Sequence, residues 1–308
     1  MTPIHLDTDI GGDPDDACAL VMALGWDGAD VVGITTNLEH EGKRAGCAAH
    51  YLRLARRSRI RVAAGTAESL SNGQRYESTW GDERYWPDPV KPLATVEEGA
   101  LDLLERSIKR GATIVALGSF TNLAKLELRA PGALANVPVV AMAGWLEPPA
   151  PELPQWGPES DFNAQCDPRA VEVVAAVCDL TLVPLPTAMT VALRTRDLPR
   201  LRAAGPCGAL LALQSETHAA VAEMHELANQ NAGLPADIVN FHWDPVTCAA
   251  ALGWNGITTE TRPLETRIDH GIVRFEPSPT GRMTKVAVTA DGDAFAEQFA
   301  TCVERLAQ

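Results

Sequence analysis

Residues 5–20 read HLDTDIGGDPDDACAL, and this stretch places five aspartates within ten positions. They are Asp7, Asp9, Asp13, Asp15 and Asp16, and they follow directly on the first apolar, strand-like residues of the chain. Carboxylates so close together repel one another, so a cation, retained protons or backbone N–H groups must offset their charge. The stretch therefore predicts a first strand that ends in a functional site.

Beyond this stretch, short apolar runs alternate with longer segments of helical period. Such alternation is typical of βαβ units, and it predicts an α/β fold with an open, mostly parallel central sheet flanked by helices. The predicted strands are 3–6, 31–36, 60–64, 113–117, 137–143 and 180–185. The predicted helices are 17–25, 42–57, 96–110, 122–128 and 169–177. Residues 262–289 alternate like a late antiparallel hairpin, and 293–307 predict a closing helix.

Composition limits the class of protein. The chain has 308 residues, 46% of them hydrophobic, and shows no linker or repeat, so one domain over 1–308 is expected. A net charge of −14 without a Lys/Arg cluster argues against nucleic-acid binding. The start resembles no signal peptide and no apolar run is long enough for a membrane span, so we expect a cytoplasmic location. Seven scattered cysteines without a C-x-x-C pair predict reduced, mostly buried thiols.

The position of the aspartates favours a metal site. Asp7 and Asp9 stand at the end of the first strand, and the carboxyl ends of strands are where open α/β sheets bind ligands. Asp13 before Pro14 predicts a helix cap, which places Asp15 and Asp16 in the first helical turn. Capping does not explain the acids at the strand end. A hard divalent cation accounts for the whole set, and Ca²⁺ tolerates such irregular ligation better than Mg²⁺.

Two other acidic motifs resemble this stretch. An EF-hand counted from Asp7 would require Glu at its twelfth position, which is Cys18, and Pro14 falls inside the loop, so that interpretation fails. A phosphatase of the D-x-D type, with Asp7 as nucleophile, remains open but is disfavoured by Gly11 at a position that usually carries a small hydroxyl or valine.

Motifs in a fixed order along the chain carry a family resemblance. DTDIGGDPDDA at 7–17 resembles the N-terminal signature of the inosine-uridine-type nucleoside hydrolases, which are Ca²⁺-dependent N-ribohydrolases. Further landmarks follow in the expected order across almost the whole chain. They are GITT at 33–36, ALGSFTNLA at 116–124, DFN at 161–163 with DP at 167–168, and HWDP at 242–245.

The resemblance implies a role for each matching residue. The implied Ca²⁺ ligands are the carboxylates of Asp9, Asp16 and Asp244 and the backbone carbonyl of Leu117. Asp9 would also act as general base toward a Ca²⁺-activated water. The implied ribose contacts are Asp15, Asp161 and Asn163, with Asp7 as support behind the site. An acidic ribose site would stabilise the positive charge that develops on the sugar.

The chain also departs from the family pattern. Asp161 is shorter than the Glu expected there, and His40 falls near a ribose-binding Asn, so His40 is a candidate substrate contact. Trp243 stands where one branch has a leaving-group His. His242, one residue earlier, is a candidate catalytic acid or a packing residue, and on extended backbone it faces away from Trp243.

Trp243 resembles the purine-preferring branch, in which two Trp side chains sandwich the base. We expect its partner in the loop that holds Trp80 and Trp86, although core packing of Trp243 is an alternative. The expected function is hydrolysis of ribonucleosides to free base and ribose, with a preference for purines. A non-catalytic nucleoside- or ribose-binding protein is the alternative with the same metal site. The resemblance also implies a homodimer or homotetramer.

Overall fold

The computed structural model describes residues 1–75, 83–93 and 97–307. Its main sheet has nine strands in the order β10-β9-β11-β6-β5-β4-β1-β2-β3. The strands are β1 (Thr2–Thr8), β2 (Ala29–Thr36), β3 (Val62–Ala64), β4 (Thr113–Ala116), β5 (Pro138–Met142), β6 (Asp179–Val183), β9 (Ile257–Asp269), β10 (Ile272–Pro277) and β11 (Arg282–Ala290). A separate two-stranded antiparallel sheet pairs β7 (Ala192–Arg194) with β8 (Ile238–Phe241).

The first six strands are all parallel, as the alternating sequence pattern predicts. The chain builds the sheet outward from β1, first through β2 and β3 and then, on the other side, through β4, β5 and β6. The order therefore reverses between β1 and β4. In open parallel sheets this reversal leaves a crevice at the carboxyl ends of the two strands, where ligands bind.

The last three strands differ in detail from the predicted hairpin. β9 pairs antiparallel with both β10 and β11, and β11 then joins the main sheet parallel to β6. The antiparallel unit is thus a three-stranded extension that begins at Ile257. The mostly parallel sheet flanked by helices is confirmed.

Helices cover the sheet. Those in the described ranges are α1 (Asp15–Gly25), α2 (Lys43–Leu54), α3 (Glu97–Lys109), α4 (Thr121–Arg129), α5 (Phe162–Cys166), α6 (Pro168–Ala175), α7 (Leu185–Ala188), α8 (Leu198–Ala203), α9 (Gly205–Val221), α10 (Met224–Gln230), α11 (Trp243–Ala251) and α12 (Gly292–Arg305). α1 packs against both α11 and α12, and all but one of its residues are buried. This packing brings the N-terminal turns of α1 and α11, distant in sequence, into one region.

The start of α1 corrects the predicted cap. The helix begins at Asp15, its N-cap position is Pro14, and no side chain caps it, so Asp13 precedes the helix and does not cap it. The predicted cysteine burial holds, because all seven cysteines are buried. Among the helices that the structure describes, none is both long and apolar enough to cross a membrane.

Candidate functional site

A cavity of about 690 Å³ opens at the carboxyl ends of β1 and β4, where the strand order reverses. Its walls carry two kinds of side chain. The acidic residues that line it are Asp9, Asp13, Asp15, Asp16, Asp161 and Asp244. The aromatic residues that line it are Tyr85, Trp156, Phe162 and Trp243. The cavity thus joins a negatively charged region to an aromatic one, the chemistry suited to a polar sugar attached to a planar ring.

The acids come from three elements that packing brings together. Asp9 follows β1, Asp16 lies in the first turn of α1, and Asp244 lies in the first turn of α11. Both helix N-termini direct their positive dipole ends toward the same region, which offsets part of the carboxylate charge. The structure thus brings Asp244 to the acids of the N-terminal motif, as the sequence predicts.

The N-terminal loop is fixed by hydrogen bonds from both sides. The Thr8 hydroxyl donates to the carboxylate of Asp16. The Trp86 indole N–H donates to the carbonyl of Gly11 at 3.2 Å, and Gly11 has a φ of 128°, a conformation that favours glycine. The chain can therefore turn sharply between Asp9 and α1 and direct acids from both into the cavity.

Burial makes this cluster costly unless it binds a cation. It raises the pKa of Asp9 to about 6, and it raises the pKa of Asp15, Asp16 and Asp244 well above the ordinary value, with their mutual repulsion adding to the effect. Asp15 Oδ1 is buried without a hydrogen-bond partner among the described residues.

The oxygen donors fit a hard divalent cation. Carboxylate oxygens of Asp13, Asp15 and Asp16 lie within 4.8 Å of one another. Asp9 and Asp244 adjoin this group, since the charges of Asp9 and Asp16 both raise the pKa of Asp244. Several carboxylates with an unsatisfied oxygen are the donor set that such ions bind. The Asp cluster could therefore hold a metal ion.

Leu117, whose backbone carbonyl is a predicted ligand, lies on the wall of the same cavity as the acids. Leu117 directly follows β4, lines the cavity, and its N–H donates to the Asp7 carbonyl at 2.7 Å. The side-chain amide of Asn163 donates to the Leu117 carbonyl at 3.0 Å and to the Met142 carbonyl at 3.0 Å. A carbonyl oxygen has two lone pairs, so Leu117 can accept this bond and still offer an oxygen to a cation.

Asp7 is a buried residue that supports the site through hydrogen bonds and does not itself face the cavity. It is fully buried and accepts hydrogen bonds from the Thr35 hydroxyl at 2.5 Å and from the amides of Asn122 at 2.7 Å and Asn37 at 3.1 Å. Burial raises its pKa to about 6 despite these bonds. Asp7 does not line the cavity, and its hydrogen bonds tie the end of β1 to the end of β2 and to the first turn of α4.

Two predicted ribose contacts, Asp161 and Asn163, line the cavity. Asp161 precedes α5 and accepts a hydrogen bond from the Gly144 N–H at 2.6 Å, and burial raises its pKa to about 6. Asn163 lies in the first turn of α5. The short side chain of Asp161 is thus held at the cavity wall by a backbone N–H.

Sequence reasoning missed Arg44. It is 2% exposed, lines the cavity, donates from Nε to the Leu38 carbonyl at 2.9 Å, and has a guanidinium nitrogen 4.0 Å from the Asp9 carboxylate. Its charge lowers the pKa of Asp9 and opposes the effect of burial. A Lys-Arg pair at a helix start is usually solvated, so the sequence carried no signal for this contact.

In the aromatic region the ring beside Trp243 is Trp156, which lies outside the loop that holds Trp80 and Trp86. The ring of Trp156 lies 6.3 Å from that of Trp243 at 48°, and both line the cavity. Trp86 instead packs edge-on against Tyr51 and does not line the cavity. Trp80 lies outside the described residues. Because Trp156 and Trp243 contact each other, they form one continuous wall and not two faces of a slot.

The two predicted histidines lie elsewhere. The His242 ring packs between Phe295 and Phe299, with ring centroids 5.2 and 4.6 Å away, and burial lowers its pKa to about 3. A neutral imidazole in an apolar environment, away from the cavity lining, does not support a catalytic role. His40 is also absent from the cavity lining, and its backbone N–H donates to Glu39 at 2.8 Å, so its position does not support substrate contact.

Comparisons with known proteins agree with this geometry. A family model described as inosine-uridine preferring nucleoside hydrolase matches residues 4–297. The chain is 29% identical over 210 residues to the pyrimidine-specific ribonucleoside hydrolase RihA of Shewanella woodyi, a match that covers 65% of this chain and 65% of the relative. The chain thus spans about two thirds of the length of that relative.

Solved structures show the same fold. The plant nucleoside hydrolase PpNRh1 superposes with a TM-score of 0.77 at 25% identity, covering 99% of this chain and 98% of the other. A purine-preferring ribonucleoside hydrolase from Gardnerella vaginalis superposes with a TM-score of 0.80 at 20% identity, covering 99% of each chain. With the family model matched over nearly its whole length, this chain belongs to the inosine-uridine preferring nucleoside hydrolase family.

Proposed function

We propose that this protein hydrolyses the N-glycosidic bond of ribonucleosides, releasing free base and ribose, with Ca²⁺ as its cofactor. The observation that carries the proposal is the meeting of Asp9, Asp16 and Asp244 in one cavity that also has an aromatic wall. Membership of the family supports the same reaction.

The metal would be held by oxygen atoms of this chain. The carboxylates of Asp9, Asp16 and Asp244 and the carbonyl of Leu117 are the proposed ligands, and Ca²⁺ accepts such a mixed, irregular oxygen set. When bound, the ion supplies a Lewis acid that lowers the pKa of water and offers coordination to sugar hydroxyls. The raised pKa values of the buried acids mean that cation binding must displace protons.

Different side chains would activate the water, bind the ribose and stabilise its developing charge. Asp9 accepts the proton of the attacking water as general base. Asp15, Asp161 and Asn163 bind ribose hydroxyls, and the unsatisfied Oδ1 of Asp15 is available as an acceptor. As the glycosidic bond breaks, positive charge develops on the sugar, and the surrounding carboxylates stabilise it.

The aromatic wall would bind the base. Trp243 and Trp156 offer a contact surface, and stacking of a base on such a ring contributes roughly 1–3 kcal/mol to binding. A larger purine covers more of this surface, which favours a purine preference. RihA is named as pyrimidine-specific and the Gardnerella vaginalis enzyme as purine-preferring, so the relatives include both preferences. A homodimer or homotetramer in the cytoplasm stays a prediction from the sequence.

The geometry disfavours the phosphatase alternative. That reaction needs Asp7 as a nucleophile open to substrate. Asp7 is 0% exposed and its two oxygens are occupied by Thr35, Asn37 and Asn122.

A direct assay tests the proposed reaction. Inosine, adenosine, guanosine, uridine and cytidine are incubated separately with the protein, and released ribose is measured as reducing sugar, with and without a chelator. We expect release that the chelator abolishes and that added Ca²⁺ restores, faster for purines. Binding of nucleosides without any release would instead identify a non-catalytic binding protein.

A further inference from the structure

The proposed reaction needs a proton for the leaving base, and the roles proposed above for the acids of the cavity do not include donating one. An expelled purine or pyrimidine nitrogen carries negative charge unless it is protonated. His242, the candidate from the sequence, packs between Phe295 and Phe299 outside the cavity lining. Another donor on the cavity wall must therefore be considered.

Tyr85 is the phenol among the described residues that line the cavity. It ends a short 3-10 helix, Glu83–Tyr85, and its side chain is largely buried. Arg44, another donor on the wall, already donates to the Leu38 carbonyl and faces Asp9. Tyr85 thus places an O–H group on the wall of the site without belonging to the acid cluster.

A histidine stands directly behind this phenol. The Tyr85 Oη lies 3.4 Å from Nδ1 of His218, which belongs to the last turn of α9, and the two rings lie 6.2 Å apart at 34°. The short 3-10 helix packs against α9. The distance is at the long end of a hydrogen bond, and such contacts often shorten when substrate binds.

The surroundings of Tyr85 and His218 favour a protonated phenol and a neutral imidazole. Burial raises the pKa of Tyr85, Asp13 raises it further and Arg84 lowers it. Burial lowers the pKa of His218, and Asp13 opposes that effect. At neutral pH the phenol is therefore protonated and the imidazole is neutral. A neutral imidazole can take a proton at one nitrogen while giving one from the other.

We propose that Tyr85 is the catalytic acid that protonates the leaving base, and that His218 is a positioning residue that orients the phenol and restores its proton. The inference rests on the proposed hydrolysis. Water oxygen forms a bond to C1′ as the C1′–N bond breaks, and the bonding electron pair stays with the base. Asp9 takes one proton from the water, and the base takes the phenol proton. His218 returns a proton to Tyr85 from Nδ1 and gains one from solvent at Nε2.

Two substrates with different leaving groups test this assignment. The base of inosine needs protonation, whereas the nitrophenolate of 4-nitrophenyl β-D-ribofuranoside leaves unaided. We expect Tyr85→Phe to lower kcat for inosine about 100-fold or more, with KM changed less than about threefold, and to keep nitrophenyl riboside hydrolysis within about threefold of wild type. His218→Gln is expected to lower kcat for inosine by a smaller factor, about tenfold, and likewise to keep nitrophenyl riboside hydrolysis close to wild type.

The nitrophenyl substrate also reports whether each variant is folded. Wild-type rates for inosine in Tyr85→Phe, or equal losses on both substrates, would overturn the assignment of Tyr85. A wild-type protein that hydrolyses neither substrate would instead overturn the proposed function itself, so the two failures are distinguishable.

Discussion

The carboxylates of Asp16 and Asp244 lie side by side in the first turns of α1 and α11, although the two residues are far apart in the sequence. The charge of Asp16 raises the pKa of Asp244, and the charge of Asp9 raises the pKa of both. A protein gains nothing in stability from three buried like charges unless they are protonated or share a cation. Their meeting at the strand-order reversal is the feature on which the proposed metal site and reaction depend.

Replacing Asp9 with Asn should remove catalysis and keep the fold. The substitution preserves shape but cannot accept a proton, so we expect kcat to fall roughly 10²- to 10⁴-fold. Steady-state kinetics with inosine and circular dichroism would measure the two effects. Asp27→Asn is the matched control, because Asp27 is exposed and lies outside the cavity lining. An active Asp9→Asn enzyme would argue against a general base at this position.

Asn163 should influence the metal through the Leu117 carbonyl. Asn163→Asp removes the N–H groups that bind the carbonyls of Leu117 and Met142, and places negative charge beside both. Loss of such support typically costs 10- to 100-fold in metal affinity, so we expect a loss in about that range for Ca²⁺ by calorimetry.

Gln165→Glu provides the matched control for Asn163→Asp. Gln165 lies on the same helix and likewise donates to two carbonyls, those of Pro158 and Val273, away from the cavity lining. We expect its Ca²⁺ affinity to match wild type. Equal losses in both variants would show that the effect is general destabilisation.

We expect Trp156 to contribute to binding of the base and not to binding of the ribose. Trp156→Ala removes half of the aromatic wall, and a lost stack of ~1–3 kcal/mol raises KM for inosine about 5- to 150-fold. Trp254→Ala is the control, because Trp254 packs on Phe295 outside the cavity lining. If KM for inosine is unchanged in Trp156→Ala, the wall does not bind the base.

Metal-free protein should become less stable as pH rises. Burial raises the pKa of Asp7 and Asp161 to about 6 from 3.8, so the folded state binds their protons more tightly than the unfolded state does. Their contribution to stability is complete below about pH 3.8 and is lost as pH rises through about 6. We expect Tm in chelator to fall between about pH 5 and 7.5, as measured by differential scanning calorimetry.

Ca²⁺ should reverse this trend. The ion binds ionised carboxylates and competes with protons, so its increase in Tm should be larger at about pH 7.5 than at about pH 5. A chelated protein whose Tm rises with pH over this range would contradict the role assigned to the buried acids.

Local sequence patterns predicted the strands of the sheet and the acidic residues of the site, but not which further side chains reach the cavity. The apolar runs that became β1, β2 and β4 are buried on both faces, so their composition alone identifies them, and the sheet topology then gathers the residues at their ends. Arg44 reaches the cavity from the first turn of α2 and Tyr85 from a short 3-10 helix, and no local sequence pattern indicates that either side chain points into the cavity.

Local sequence patterns also did not predict how the aromatic residues of the site pack. Trp156 meets Trp243 from the irregular segment before the 3-10 turn at 158–160, and no sequence spacing encodes this contact. His242 is adjacent to Trp243 in sequence, but its ring packs against Phe299 whereas Trp243 lines the cavity. Closeness in sequence thus predicted a catalytic histidine that the structure places against Phe299.

Calorimetric titration of Ca²⁺ into chelator-treated protein, wild type beside Asp244→Asn, tests the central claim most directly. We predict one ion per wild-type chain and an affinity at least about 100-fold weaker in the variant, because a proposed ligand loses its charge. Absence of binding to wild type, or equal affinity in the two proteins, would contradict the claim that acids from both ends of the chain hold a shared cation.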